Sequence, residues 1–522
     1  MSEVSMTSAA ARRERDRSLL HGIAWTSMVT YLAQILTWAA TLLIVRYLVP
    51  DDYGLVGLAA LYLGLVQVVS DLGVGAAVIT FRDLSRAEIS QFNTVAVAAG
   101  AACVLLSLVA AVPLGRFFGE PRLPAILAVM SLSFLISAFR VVPLATMQRD
   151  LAFRRLALID AAVAIVGSSA SMTMAVLGFG YWTLAIGPLV NATLQTALLV
   201  AHKPTRFERP QLAAIRKPLV FSSHTLTTRF TWYAYSNADF FVIGRFMGKT
   251  ALGAYTLGWT LSGLAVEKVT ALIGRFTPAF FSSVQRDLPE LRRYLLIVTE
   301  GLSLITFPAC IGIALVADDL VRAALGPGWS SSVAPLRWLA VFAAFRSVQP
   351  LFPQVLSAIG EARATMKNSL LTVCVLPFGF YVATRWGIVG VARTWAVLAP
   401  LLFLPLFYDV CRRIELTTSR YLLALWPATS GCIFMAAAVE SVNRIGLGAA
   451  RPVVSLTVKI LIGALAYVAA MLLFHRKRLL TVRGAFRVIR SRPAASPDKT
   501  GTSDAAIPSI PLAADSIEAG LA

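Results

Sequence analysis

The sequence predicts an all-α polytopic membrane protein of about fourteen transmembrane helices. They divide into two six-helix lobes related by a pseudo-two-fold, followed by two C-terminal helices. Three observations predict this. The chain of 522 residues is 57% hydrophobic and only 14% charged, a balance soluble domains do not have. Apolar windows of about 20 residues, long enough to cross the hydrocarbon core as helices, recur along nearly its whole length. The pattern then repeats after roughly 200 residues, as a parallel duplication would.

The elements follow in order. Residues 1–20 are polar and basic, and form a cytoplasmic tail. The first apolar run has no small-residue cleavage site behind it and reads as a retained span. The N-lobe, 21–202, holds spans near 22–45, 54–80, 91–113, 123–143, 156–177 and 181–202. A basic cytoplasmic linker covers 203–218. The C-lobe, 219–408, holds spans near 219–244, 253–279, 294–316, 334–357, 367–384 and 388–408. The terminal two spans, near 421–440 and 453–474, lie within 421–474. The tail 475–522 starts basic, then becomes rich in Ala, Ser and Pro and reads as disordered. The splits at Gly178–Tyr181 and Arg385–Gly387 require very short turns.

Basic residues set the orientation. With both termini cytoplasmic, the inner segments hold 30 of the 47 Lys and Arg, the outer loops 9, and the spans 8. The net charge of +20 is therefore mostly a topology signal dispersed over alternate loops, which argues against nucleic acid as a partner. Five cysteines, none in an outer loop, predict no disulfide framework. Four scattered histidines, the lack of paired-Cys spacing and the lack of a glycine-rich phosphate loop predict no metal site, no cofactor and no nucleotide hydrolysis.

The repeat is visible when RYLVPDDYGLVGLAALYLGL, from Arg46, is laid over RFMGKTALGAYTLGWTLSGL, from Arg245. Arg46 then matches Arg245, Gly54 matches Gly253, Leu58 matches Leu257, Gly64 matches Gly263 and Leu65 matches Leu264. An even number of spans per lobe makes the repeat parallel, with the substrate path expected between the lobes.

At this point the residues resemble a family. RYLVPDDYGLVGLA, SDLGVGAAVITFRDLSRAEISQFNT, LGRFFGEPRLPAIL and VPLATMQRDLAFRRLALID are similar to bacterial polysaccharide exporters. NADFFVIGRFMGKTALGAYTLGW, LVRAALGPGWSSSVAPLRWLA and LSAIGEARATMKNSLL agree in the second half. The family is the O-antigen-flippase (Wzx)-like and exopolysaccharide-exporter branch of the multidrug/oligosaccharidyl-lipid/polysaccharide (MOP) superfamily. The resemblance implies translocation of a polyprenyl-diphosphate-linked oligosaccharide, a lipopolysaccharide O-antigen or exopolysaccharide repeat unit, across the bacterial inner membrane. It implies alternating access of two lobes around a cationic cavity, with membrane lipids as surroundings and H+ or Na+ as a candidate coupling ion. A polysaccharide polymerase and a chain-length regulator are candidate partners. The sequence departs from the family pattern at Phe240, where a basic or amide residue often follows the aspartate.

Ionisable side chains inside a span are costly, so they normally face a cavity or a partner. Arg229 lies about ten residues into its span, roughly 15 Å deep. Tyr233, Ser236, Asn237 and Phe240 continue its helical face at i+4, i+7, i+8 and i+11. A diphosphate needs cationic donors and a sugar needs amides, hydroxyls and aromatic faces, so this face is a candidate cavity lining. The bland alternative is a polar strip between helices, with Arg229 paired to Asp71 or Glu267 and Asp239 pairing between helices. Arg346, near a midplane, is a candidate second cation, or else a paired or snorkelling arginine. Lys268 is a further candidate for the cavity; it points about 100° away from adjacent Glu267, so one of the two serves the cavity while the other packs. Glu267 and Asp71 are candidate ion-coupling sites, or else helix-to-helix hydrogen-bonding groups.

Three rival functions remain, one of them a non-transporting assembly scaffold for the polysaccharide machinery, favoured only if cavity variants stay fully active. A cation-coupled multidrug exporter of the same superfamily would want carboxylates in the first spans, and residues 22–45 contain none. A membrane glycosyltransferase or ligase would use outer-loop carboxylates such as Asp51 and Asp52. Helix capping accounts for these two, and no outer loop is long enough for a catalytic domain, so an enzyme is not expected.

Overall fold

The computed structural model describes residues 28, 32–34, 36–70, 74–80, 84–150, 152–210, 230, 232–445, 452–476 and 478. These residues are almost entirely helical, and among them there is no strand. The elements are α1 (Leu32–Val45), then α2 (Pro50–Ser70), α3 (Val74–Thr80), α4 (Arg86–Phe118), α5 (Leu123–Arg149), α6 (Phe153–Val176) and α7 (Tyr181–His202). There follow α8 (Ala238–Phe246), α9 (Gly248–Ser283), α10 (Leu288–Leu320), α11 (Val333–Val348) and α12 (Leu351–Ala358). The last four are α13 (Ala362–Ala383), α14 (Gly387–Arg413), α15 (Thr418–Arg444) and α16 (Pro452–Phe474).

Nine stretches among the described residues are long and apolar enough to cross a membrane. One of them, Arg363–Arg413, contains both α13 and α14, joined through a single 3-10 turn at Thr384–Trp386. The chain is thus an all-α polytopic protein, consistent with fourteen spans. The short splits occur where the sequence places them: Gly178 and Gly180 take φ of 78° and 54°, and Gly387 takes 71°. Only glycine adopts that left-handed region without strain, which is what lets two spans reverse over so few residues.

The helices often outrun their apolar windows. α4 begins with a capping box in which Ser85 and Glu88 satisfy each other's backbone N–H groups, and ends at Gly119, in the left-handed conformation. Two expected continuous spans are interrupted. The span expected at 334–357 breaks between α11 and α12, where Pro350 supplies no N–H to the ladder. Within 219–244 the helical backbone breaks at Asn237, which sits at φ −120°, ψ 12° ahead of α8. Backbone hydrogen bonds nevertheless run on across it, from Asn237 N–H to the Tyr233 carbonyl at 3.1 Å and from Phe241 N–H to the Asn237 carbonyl at 3.1 Å.

Large apolar side chains point outward from many helices, including Val109 at 76% and Leu473 at 77% exposure. Around a helix of membrane-spanning length such a surface fits hydrocarbon rather than water.

By contact the chain forms two units. The first takes the chain up to Gly258 together with Val321–Pro335 and Leu371–Thr394. The second takes Trp259–Leu320, Leu336–Leu370 and the chain from Trp395. Within the second, Phe352, Phe403, Phe407 and Tyr421 interlock in a buried aromatic core with centroids 5.1–5.5 Å apart. The last helix is fastened there by polar contacts. Tyr467 donates to the Leu304 carbonyl at 2.9 Å, and Lys459 and Ser455 both meet Asp319.

Candidate substrate-path residues

In the second unit, α9 and α11 build a compact cationic and aromatic cluster. The Arg346 guanidinium sits 4.8 Å from the centroid of Trp259. Trp259 also lies against Phe342 and Trp395, with centroids 6.4 and 5.6 Å away, so its ring is held by neighbours from α11 and α14. Glu267 lies two turns along α9 and is exposed. Its Oε1 and Arg346 Nη2 come within 2.7 and 3.4 Å of the point a Cβ would occupy on Gly263. The glycine leaves room where a carboxylate and a guanidinium converge beside an indole face. That combination can bind an anion through the guanidinium and a sugar ring through the aromatic surface.

In the first unit, the repeat-matched glycine does a similar job. A Cβ on Gly64 would lie 2.1 Å from the Tyr233 hydroxyl oxygen. That hydroxyl donates to the Leu61 carbonyl at 2.9 Å, in the α2 groove opened by the glycine. The Ser236 hydroxyl donates to the Tyr233 carbonyl at 3.3 Å. The Asn237 amide donates to the same carbonyl at 3.0 Å and to Ser236 Oγ at 3.2 Å. The Ser236 and Asn237 side chains thus meet on the Tyr233 carbonyl beside the turn at Asn237, while the Tyr233 side chain reaches α2. Phe240 packs edge-on against Tyr255 at 5.3 Å. Asp239 is fully buried, and Tyr255 of α9 donates to its carboxylate at 2.6 Å, the contact between helices expected for it.

Arg229 and Asp71 lie outside the described residues. Lys268 is placed on α9 by its backbone alone. The structure therefore gathers Tyr233, Ser236 and Asn237 in one unit, and Glu267 and Arg346 in the other. Asp52 accepts from the Val49 backbone N–H at 3.2 Å, as a cap would, whereas Asp51 receives the Thr250 hydroxyl instead. Sequence reasoning missed Trp259 and Trp395, because residues on three different helices leave no spacing to read. All five cysteines are free, four of them buried. No group of three or more His, Cys, Asp or Glu among the described residues is arranged to hold a metal ion.

The fold of the described helices is shared with solved membrane proteins. The chain resembles the lipid II flippase MurJ in its inward closed conformation, with a TM-score of 0.68 and 14% identity over 87% of this chain and all of that one. It also resembles an inward-facing MATE-family multidrug transporter of the MOP superfamily, with a TM-score of 0.58 and 16% identity over 74% of this chain and 96% of that one. The chain belongs to the polysaccharide biosynthesis protein family, whose model matches residues 43–334. Among its relatives, the lipopolysaccharide biosynthesis protein WzxC of Escherichia coli K12 is 24% identical over 78% of this chain and 84% of its own length. The teichuronic acid biosynthesis protein TuaB of Bacillus subtilis is 23% identical over 78% and 85%. The succinoglycan biosynthesis transport protein ExoT of Rhizobium meliloti is 21% identical over 66% and 70%.

Proposed function

We propose that this protein flips a polyprenyl-diphosphate-linked oligosaccharide across the bacterial inner membrane by alternating access of two lobes, 21–202 and 219–408. The observation that carries the reading is Arg346 lying over Trp259 beside exposed Glu267, in a chain of the polysaccharide biosynthesis family. The relatives' names, which span lipopolysaccharide, teichuronic acid and succinoglycan, support a saccharide cargo and leave the sugar open. On this reading Arg346 and Arg229 hold the diphosphate, while Tyr233, Ser236, Asn237 and Lys268 line the path. Glu267 or Asp71 carries the coupling H+ or Na+. The protein acts without making or breaking a glycosidic bond. A polymerase and a chain-length regulator take over the delivered unit.

The test is reconstitution in vesicles with a lipid-linked oligosaccharide added to one leaflet. Lectin or glycosidase access from the opposite side reports translocation. Arg229→Lys is expected to keep partial transport, because lysine offers only a point charge to the phosphates. Arg229→Ala should lose most of it, and Arg229→Glu should be worst. Full transport by a normally abundant Arg229→Glu protein would end the assignment of that residue. The MATE-like fold favours one rival, a cation-coupled multidrug exporter. It predicts counterflow of organic cations and no movement of the saccharide.

A further inference from the structure

The duplication supplies two copies of one arginine, and the structure uses them differently. Arg46 donates to the Ala323 carbonyl at 3.2 Å. Its repeat partner Arg245, in the last turn of α8, is exposed and makes no hydrogen bond or ion pair among the described residues. Its guanidinium instead lies 5.0 Å from the ring centroid of Phe117, on α4, and 5.9 Å from that of neighbouring Phe246. These rings belong to a larger surface. Phe117 stacks on Phe241 of α8 at 6.0 Å, and Phe246 meets Tyr381 of α13 edge-on at 5.1 Å. All four rings are about half exposed, at 46–54%, so they pave an open face rather than a core. Every residue of this face belongs to the first unit.

The face sits at one end of its helices, the end that the charge pattern assigns to the outer side. α8 also touches the turn Thr384–Trp386, which brings exposed Arg385 and Trp386 to the same end. Arg116, beside Phe117 in the last turn of α4, is exposed there as well. The carboxylates of the neighbouring outer segments are already engaged. Glu120 holds Lys249 at 3.0 Å, Asp51 receives the Thr250 hydroxyl, and Asp52 accepts from the Val49 backbone N–H. The unspent charge is therefore positive. Tyr and Trp rings at the end of a span mark the level of the lipid head groups, so cation and rings meet where phosphates lie.

We propose that the outer ends of α4, α8 and α13 form a binding site for an anionic phospholipid, with Arg245 holding the phosphate. One such molecule offers both chemistries that the face asks for. Its phosphate oxygens match the planar donor fork of a guanidinium, and its acyl chains cover Phe117, Phe241, Phe246 and Tyr381. A net negative head group suits the arginines better than a zwitterionic one, whose ammonium they repel. The lipid then bridges α4 of the first repeat to α8 and α13 of the second. The site shares no residue with the substrate-path assignment, and it stands whichever cargo the protein carries.

The test exposes the full-length protein in detergent to a phosphatidylglycerol carrying a photoreactive group beside its phosphate. Labelled peptides are then mapped by mass spectrometry. Label is expected on peptides carrying Phe117, Phe246 or Tyr381. An excess of plain phosphatidylglycerol should remove it, whereas phosphatidylcholine should need a several-fold higher concentration. Equal competition by the two lipids would make the face an unselective part of the lipid belt and overturn the site. Equal competition by inorganic phosphate would make it a free-anion site and overturn the lipid assignment. These arms use the parent protein and depend on no variant. Arg245→Gln, checked for unchanged elution in gel filtration, should lower labelling of the three peptides several-fold. Arg245→Lys should fall between the two, because lysine offers a single point charge. Undiminished labelling of a folded Arg245→Gln protein would remove Arg245 as the phosphate ligand.

Discussion

Arg346 and Glu267 approach one another over Gly263, from α11 and α9, with the guanidinium also lying on the Trp259 face. An arginine keeps its charge at any physiological pH and presents a planar fork of donors suited to phosphate oxygens. Arg346→Ala is therefore expected to lower transport at least tenfold at normal membrane abundance, and Arg346→Lys to retain a fraction of it. If the carboxylate serves only to hold Arg346, Glu267→Gln should reduce abundance or transport without altering gradient dependence. If it carries the coupling ion, Glu267→Gln should abolish gradient dependence while cargo binding persists. Flipping rates with and without an imposed proton or sodium gradient separate the two.

Lys459 and Asp319 form an ion pair whose side chains are only 9% and 13% exposed, between α16 and α10. Ser455 donates to the second carboxylate oxygen at 2.8 Å. Removing one charge from such a pair leaves the other buried and uncompensated, at a cost of about 3–5 kcal/mol. Lys459→Met should sharply reduce folded protein in detergent, by thermal unfolding or gel-filtration yield. The double variant Asp319→Leu, Lys459→Met should regain most of it. A single variant as stable as the parent would mean that the pair does not anchor α16.

Much of the fold was legible because the bilayer forces it. Windows such as 181–202 reappear as α7 because a lipid-exposed backbone must satisfy its hydrogen bonds within the helix. The repeat was legible through its glycines, and each of the matched pairs Gly54/Gly253 and Gly64/Gly263 marks a close approach. The break at Asn237 was not legible. An amide that folds back onto the Tyr233 carbonyl competes with the helix locally, and apolar windows carry no trace of that. Nor was the cluster of Trp259, Arg346 and Trp395, which exists only after three distant helices pack.

Topology is a separate prediction, carried by the 30-to-9 excess of basic residues on one side. A reporter fused within 203–218 should read cytoplasmic, and one within 318–332 periplasmic. The opposite readings would invert the chain.

His475, just past α16, exchanges a hydrogen bond with Ser430 of α15 at 2.9 Å. Burial, and then the nearby Arg478, hold its imidazole below its ordinary value of 6.5. The unfolded chain therefore binds a proton here more readily than the folded one. This contact contributes fully above about pH 6.5 and weakens as pH falls through that value. Thermal stability of the parent should drop between pH 7 and 5 more steeply than that of His475→Gln, which keeps a polar partner for Ser430 without titrating. Parallel pH curves would remove His475 as the cause.

The Tyr233 side chain occupies the groove that Gly64 leaves open, with its hydroxyl on the Leu61 carbonyl. Two quantities follow from that geometry. Gly64→Val would drive a branched side chain into the phenol ring, and overpacking of this kind costs about 1–3 kcal/mol. Gly64→Val should therefore lower abundance, and adding Tyr233→Ala should recover it by emptying the groove. Transport should not recover with it, because the double variant has lost the ring and the hydroxyl assigned to the saccharide path. Tyr233→Phe sharpens the distinction. It keeps the packing and removes only the donor to the Leu61 carbonyl, a bond worth about 0.5–1.5 kcal/mol. If Tyr233 only braces the helices, Tyr233→Phe should transport in proportion to its abundance. If the hydroxyl serves cargo, flipping per folded molecule should fall several-fold. A double variant that flips at the parent's rate would take Tyr233 off the path.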